Sequence, residues 1–227
     1  TTDNGKRYAE CMKTTALKVT RSMQRSNFKV LMVTAALANE GKSSVALNLA
    51  RYIKSGNPDK KVALVDLDLR KLSLSKMTNN NENYCPIDKL FEQPKTVKKH
   101  VENKVPRVQP ESSSNKIKLM FAENPKDVVI FGSETPCRTP ERNLNNDKMR
   151  DFMKELREIA DYVIIDSPPC AITTDPLIIS EYCDSILFVI RQDSTHRWTI
   201  LDCLNNISTR GCNIIGGVLN AAKESLL

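Results

Sequence analysis

Three short segments of this chain carry residue types whose spacing could do phosphate chemistry. In Ala36-Leu-Ala-Asn-Glu-Gly-Lys-Ser43, the triplet Gly41-Lys42-Ser43 falls where an apolar run gives way to a helical pattern. At such a junction the unpaired backbone N–H groups and the positive end of the helix dipole attract phosphate oxygens. Residues Ala38, Asn39, Glu40, Gly41 and Ser44 are candidates for cradling phosphates. Lys42 is a candidate to reach β- and γ-phosphates, and Ser43 to place its hydroxyl on Mg²⁺. Lys42 is expected to face solvent at the loop–helix junction. Ala36 stands where this loop pattern has its first glycine and lacks glycine's freedom at positive φ.

The second segment, Val62-Ala-Leu-Val-Asp-Leu-Asp-Leu-Arg70, puts Asp66, Asp68 and Arg70 at the carboxyl end of an apolar run. In open α/β sheets ligands sit at that edge. Strand alternation points Asp66 and Asp68 the same way, so the pair could hold Mg²⁺ and take a proton from a hydroxyl nucleophile. Asp66 is the candidate base and Asp68 the candidate metal ligand. The third segment, Val163-Ile-Ile-Asp-Ser-Pro-Pro169, ends another apolar run in Asp166, which suits a carboxylate that holds Mg²⁺ directly or through water. Its prolines are expected to keep the backbone from continuing the sheet. Each segment has a plain reading of its own, an ordinary turn or charges solvating a strand end. Three strands ending this way in one chain argue for a shared site.

The elements that must position these residues follow from periodicity. Tyr8, Met12, Ala16, Val19 and Met23 form one stripe of an amphipathic helix over about residues 6–25, expected to pack beside the first strand. A strand at 29–34 and a helix from 42 to about 54 follow. Short apolar runs at 61–67, 128–131, 162–166, 185–191 and 213–219 read as strands buried on both faces. Helical patterns at 147–160, 175–183 and 197–209 separate the later ones. This alternation predicts a doubly wound, mostly parallel α/β sheet in a single domain spanning 1–227. Residues of about 78–126 are polar and weakly periodic, and read as an excursion with a short helix near Ile87–Phe91.

Composition narrows the class. Apolar residues make up 40% and charged residues 27% of 227, enough to bury a core, which excludes collagen-like and disordered chains. No apolar run approaches the roughly 18 residues of a membrane helix. The seven cysteines include no C-x-x-C pair and read as reduced thiols. The net charge of +7 is uneven, with seven basic and two acidic residues in 1–29 and five basic against one acidic in 93–109. Aromatics are 5% and do not interleave with these runs, so nucleic-acid binding is not expected.

The order Gly-Lys-Ser, Asp-x-Asp-x-Arg, Asp-x-Pro-Pro resembles the bacterial tyrosine kinases of capsular and exopolysaccharide synthesis. The likeness runs from about residue 7 to 220. It includes Thr34-Ala-Ala-Leu37, the stretch from Glu40 to Ala50, Pro140-Glu141 with Leu144, the stretch from Asp161 to Pro169, Thr174-Asp175 and Gly217-Val-Leu-Asn220. The resemblance implies a P-loop NTPase fold of the MinD/ParA-like type, ATP and Mg²⁺ as cofactors, and transfer of phosphate to protein tyrosines, the chain's own included. It makes Asp166 the Walker B acid, places Asp66 and Asp68 in a second Walker A-like motif, and gives Asn220 an adenine contact. It also implies a transmembrane polysaccharide co-polymerase as adaptor, separate or fused, a cytoplasmic position at the inner face of the membrane, and self-association through the N-terminal helix.

The chain departs from that family's pattern in places. Asn39 stands where the loop usually has glycine; Asn tolerates left-handed backbone, so the turn is expected to survive. The family's ring-forming helix carries Glu-x-x-Arg-x-x-Arg, against Glu10, Lys13 and Ala16 here, and Lys cannot reproduce a bidentate Arg contact. A monomer or weak, salt-sensitive oligomer is therefore expected. The five tyrosines are scattered, and the family's tyrosine-rich segment is not within these residues. Two other readings stay open. One is a partition or septum-positioning ATPase, whose loops carry a signature lysine where this chain has Leu37. The other is a nucleotide-gated binding module of the export system with weakened catalysis.

Overall fold

The computed structural model describes residues 3–78, 83–87, 113–209 and 211–222. The apolar runs form strands because both of their faces are covered. Every residue of β1 (Val30–Ala35), β2 (Val62–Asp66), β4 (Val129–Gly132) and β5 (Tyr162–Asp166) is buried, which is why these strands show no polar alternation. With β3 (Tyr84–Pro86), β6 (Ser185–Arg191) and β7 (Asn213–Asn220) they make a seven-stranded sheet in the order β3-β4-β2-β5-β1-β6-β7. All its pairings are parallel.

Helices cover both faces. On one, α1 (Asp3–Arg25), α2 (Lys42–Gly56) and α3 (Ser73–Thr78) bury Met23, Leu49, Ile53 and Leu74 against Leu31, Val33, Leu64 and Ile164. On the other lie α4 (Ser113–Glu123), α5 (Pro140–Leu144), α6 (Asp147–Ile159), α7 (Asp175–Ser180) and α8 (Arg197–Ser208). Their Ile117, Phe121, Phe152, Leu156 and Ile207 pack on Val65, Phe131, Val163 and Phe188. Asn146 starts α6 by accepting from the Met149 amide at 2.8 Å, a side-chain cap that satisfies one end donor.

The structure differs from the sequence expectation in two places. The polar excursion contributes β3 to the sheet edge and the helix α4; the helix expected at Ile87–Phe91 lies, after Ile87, outside the described residues. The α1 stripe does not lie along β1. It packs on α2, which already covers that strand, and reaches the sheet at its own end, where Gln24 donates to the Tyr162 hydroxyl at 2.8 Å. As expected, β5 ends at Asp166 ahead of Pro168 and Pro169, and the turn that follows is held by Cys170 and Ala171, whose amides donate to the carbonyls of Ala35 and Ala36.

Candidate active site

The carboxyl ends of β1, β2 and β5 are neighbours in the sheet, so the three sequence segments meet. β1 leads into the loop of residues 36–41. Ala36 is buried and is not among the left-handed residues, so the missing glycine costs no strain there. The turn is made instead by Asn39 at φ +63° and Gly41 at φ +93°. Asn39 thus adopts the left-handed backbone expected of it. Gly41 cannot be replaced cheaply, because L side chains rarely adopt its φ, and a Cβ there would also displace the Asn220 amide from the loop. α2 begins at Lys42 with no side-chain cap and no acidic residue in its first turn, which leaves its positive end uncompensated.

Asp66 and Asp166 are register partners on adjacent strands and project to the same face as α2. Both are fully buried. Asp66 holds the turn after β2: its Oδ1 accepts from the Asp68 amide at 3.1 Å and its Oδ2 from the Leu74 amide at 3.0 Å. That turn swings Asp68 towards the loop, where its Oδ2 lies 3.6 Å from Lys42 Nζ. Lys42 is 5% exposed, not solvent-facing as expected, because α2 packs its first turn directly over the strand ends. Asp166 holds its proton well above the usual carboxylate range. Burial is the main cause and the Asp66 charge adds to it, against the opposing pull of the Lys42 ammonium and the Ser43 hydroxyl.

Neither Asp166 oxygen, nor Asp68 Oδ2, has a well-directed hydrogen bond. Buried oxygens of this kind are costly unless a ligand satisfies them. Asp68 and Asp166, beside one lysine and one hydroxyl under an uncapped helix start, suit phosphates and a cation carried in with them; among the described residues no three acidic groups are gathered closely enough to hold a metal ion by themselves.

The other candidates are placed as follows. Ser44 lies in the first turn of α2, where its carbonyl accepts from Asn48. Arg70 turns away from the loop: its Nε donates to Asp175 Oδ2 at 3.1 Å and its Nη2 to Glu141. It thereby ties the turn after β2 to α5 and α7. Asp175 and Glu141 belong to two of the segments that carry the family resemblance, yet nothing in their spacing marks them as partners of Arg70. Asn220 donates its amide to the Glu40 carbonyl at 2.9 Å, so it meets the loop itself. Thr195 and Arg191, absent from the sequence candidates, also bond to residues of this loop.

A parallel sheet with such a loop between one of its inner strands and an uncapped helix is the architecture of a P-loop NTPase. A sequence profile of ParA proteins, described as NUBPL iron-transfer P-loop NTPase, matches residues 27–190, and the chain belongs to this family. Among curated proteins it is 27% identical over 211 residues to the tyrosine-protein kinase ptk of Acinetobacter johnsonii, a match covering 93% of this chain and 26% of that protein. It is 24% identical over 206 residues to the tyrosine-protein kinase CpsD of Streptococcus pneumoniae serotype 4, covering 90% and 81%. The chain thus spans about a quarter of the first relative's length. Among solved structures it is similar to the kinase domain of the Escherichia coli tyrosine kinase ETK, with a TM-score of 0.71, 20% identity and coverage of 95% and 77%. The septum site-determining protein MinD of Pyrococcus horikoshii, solved with Mg-ADP, shares the fold at a TM-score of 0.55 and 15% identity, covering 86% and 72%. No helix among the described residues is long and apolar enough to cross a membrane.

Proposed function

We propose that this domain binds Mg-ATP at the carboxyl ends of β1, β2 and β5 and transfers the γ-phosphate to tyrosine hydroxyls, as a kinase of capsular or exopolysaccharide synthesis. The observation that carries the reading is Asp68, brought beside Lys42 with an oxygen free of hydrogen bonds. Lys42 and the amides of residues 39–44 are suited to neutralise phosphate charge as it redistributes in the transition state. Ser43, Asp68 and Asp166 would hold Mg²⁺, which when bound supplies charge neutralisation between the phosphates. A tyrosine hydroxyl has a reference pKa of about 10, so its proton must be accepted during transfer. Asp66 is the candidate acceptor, but both of its oxygens are engaged by backbone amides, so it would take that proton only by giving up one of these bonds.

The tyrosine-kinase names of the curated relatives favour this reading over a positioning ATPase, and Leu37, packed against the core, stands where such ATPases carry a signature lysine. By the same resemblance the partner is a membrane-spanning adaptor, which would hold the domain at the inner membrane face. Incubation with Mg-ATP and a tyrosine-rich peptide separates the readings. ADP formed together with phosphotyrosine supports the kinase; ADP without phosphotyrosine gives the ATPase switch; neither product gives a binding module.

A further inference from the structure

The phosphate loop is gripped from the far side of β1 by residues that end or follow β6 and by the last residue of β7. Thr195 donates its hydroxyl to Glu40 Oε1 at 2.6 Å, Asn220 Nδ2 donates to the Glu40 carbonyl at 2.9 Å, and Arg191 Nη1 donates to the Asn39 carbonyl at 3.1 Å. Glu40 is fully buried, and its second oxygen accepts from the Leu37 amide at 2.8 Å. A carboxylate in a loop meant for phosphate would repel its ligand. Here it is turned back into the protein and both of its oxygens are occupied. The residues on either side of it, Asn39 and Gly41, have left-handed backbones. Asn tolerates that conformation, and the Arg191 bond to the Asn39 carbonyl helps to hold it there.

We propose that Thr195 is a positioning residue for nucleotide binding: through Glu40 it holds the loop amides in their phosphate-binding arrangement. The inference rests on the Mg-ATP reading above and adds a specific dependence to it. Without the hydroxyl, Glu40 Oε1 is left buried with no donor, and the loop can relieve that only by opening, which misaligns the amides around it. The sheet is untouched, because Thr195 lies in the turn between β6 and α8.

Thr195→Val keeps the shape and removes the donor, whereas Thr195→Ser keeps the donor. Calorimetry with Mg-ATP should show roughly tenfold weaker binding for Thr195→Val, a loss typical of one hydrogen bond to a charged group. Thr195→Ser should bind like the wild type, and thermal melting of the nucleotide-free proteins should be nearly unchanged. Glu40→Gln should weaken binding as well, and the double variant should bind no worse than the weaker single one, because both break the same contact. Wild-type affinity in Thr195→Val, equal damage in Thr195→Ser, additive losses, or a fall in affinity that merely tracks a lower melting temperature would each overturn the proposal. Failure of the wild type to bind Mg-ATP would instead remove the reading beneath it.

Discussion

Asp166 sits fully buried beside Asp66, and Lys42 and the nearby Ser43 hydroxyl favour its charge there. Its folded pKa lies above the unfolded value of about 3.9, so the folded state holds the proton more tightly. The corresponding stability is fully present below the unfolded pKa and is lost as pH rises through the folded one. Asp166→Asn should therefore raise the melting temperature of the nucleotide-free domain at neutral pH, by roughly 2–4 °C per kcal/mol of strain relieved. It should also flatten the decline with pH and abolish the Mg²⁺ dependence of ATP binding. Calorimetric scans of both proteins across pH, with and without Mg²⁺, check this; a destabilised variant would contradict it. Lys42→Met keeps the apolar stem and removes the charge. ATP affinity should fall by about 10- to 100-fold, the value of a charged hydrogen bond, while circular dichroism shows a folded domain. That the three segments meet was legible, because each ends a short apolar run and β1, β2 and β5 are neighbours in the sheet. The division between Asp66 and Asp68 was not, since alternation places both on one face and says nothing about the amides of Asp68 and Leu74.

At the scale of elements, the buried strands and their helices were readable from apolar runs and the 3.6 period. β6, for example, occupies the expected residues 185–191. β3 and α4 escaped because their surroundings are polar and only Ile117, Met120 and Phe121 carry the helical spacing. A stripe tells which face is buried but not against what, so α1 was expected on β1 and lies on α2. Its register also puts Ala16 in the core, at 3% exposure, so that position cannot carry a contact to a neighbouring subunit. Met23 anchors the end of α1 and is fully buried. Met23→Ala should cost about 2–5 kcal/mol of unfolding free energy in urea titrations, a typical core truncation. A loss no larger than that of a surface substitution would mean that α1 is not part of the cooperative fold.

Across the whole molecule, the site is assembled by contacts that no local pattern encodes. Thr195 and Asn220 reach Glu40 across 155 and 180 residues of sequence, through the order in which β6 and β7 join the sheet. The outward face of α1 exposes Lys6, Arg7, Lys13, Lys18, Arg21 and Arg25, and Lys13 pairs with Glu10 on the same helix at 2.7 Å. Ion pairs on such a surface are worth about 0–1 kcal/mol each and are screened by salt. Light scattering should therefore find a monomer at high salt, with any association confined to low salt and favoured by Mg-ATP. A stable ring indifferent to salt would show that apolar packing holds the assembly.

The proposed activity, transfer of phosphate from Mg-ATP to tyrosine through the loop that carries Lys42, has one decisive test. Mass spectrometry of a tyrosine-rich peptide incubated with Mg-ATP and the domain, in parallel with Lys42→Met, measures this most directly. Phosphate should appear on tyrosine with the wild type, in step with ADP, and be absent with the variant. ADP accumulating with the wild type while the peptide tyrosines stay unmodified would contradict the account.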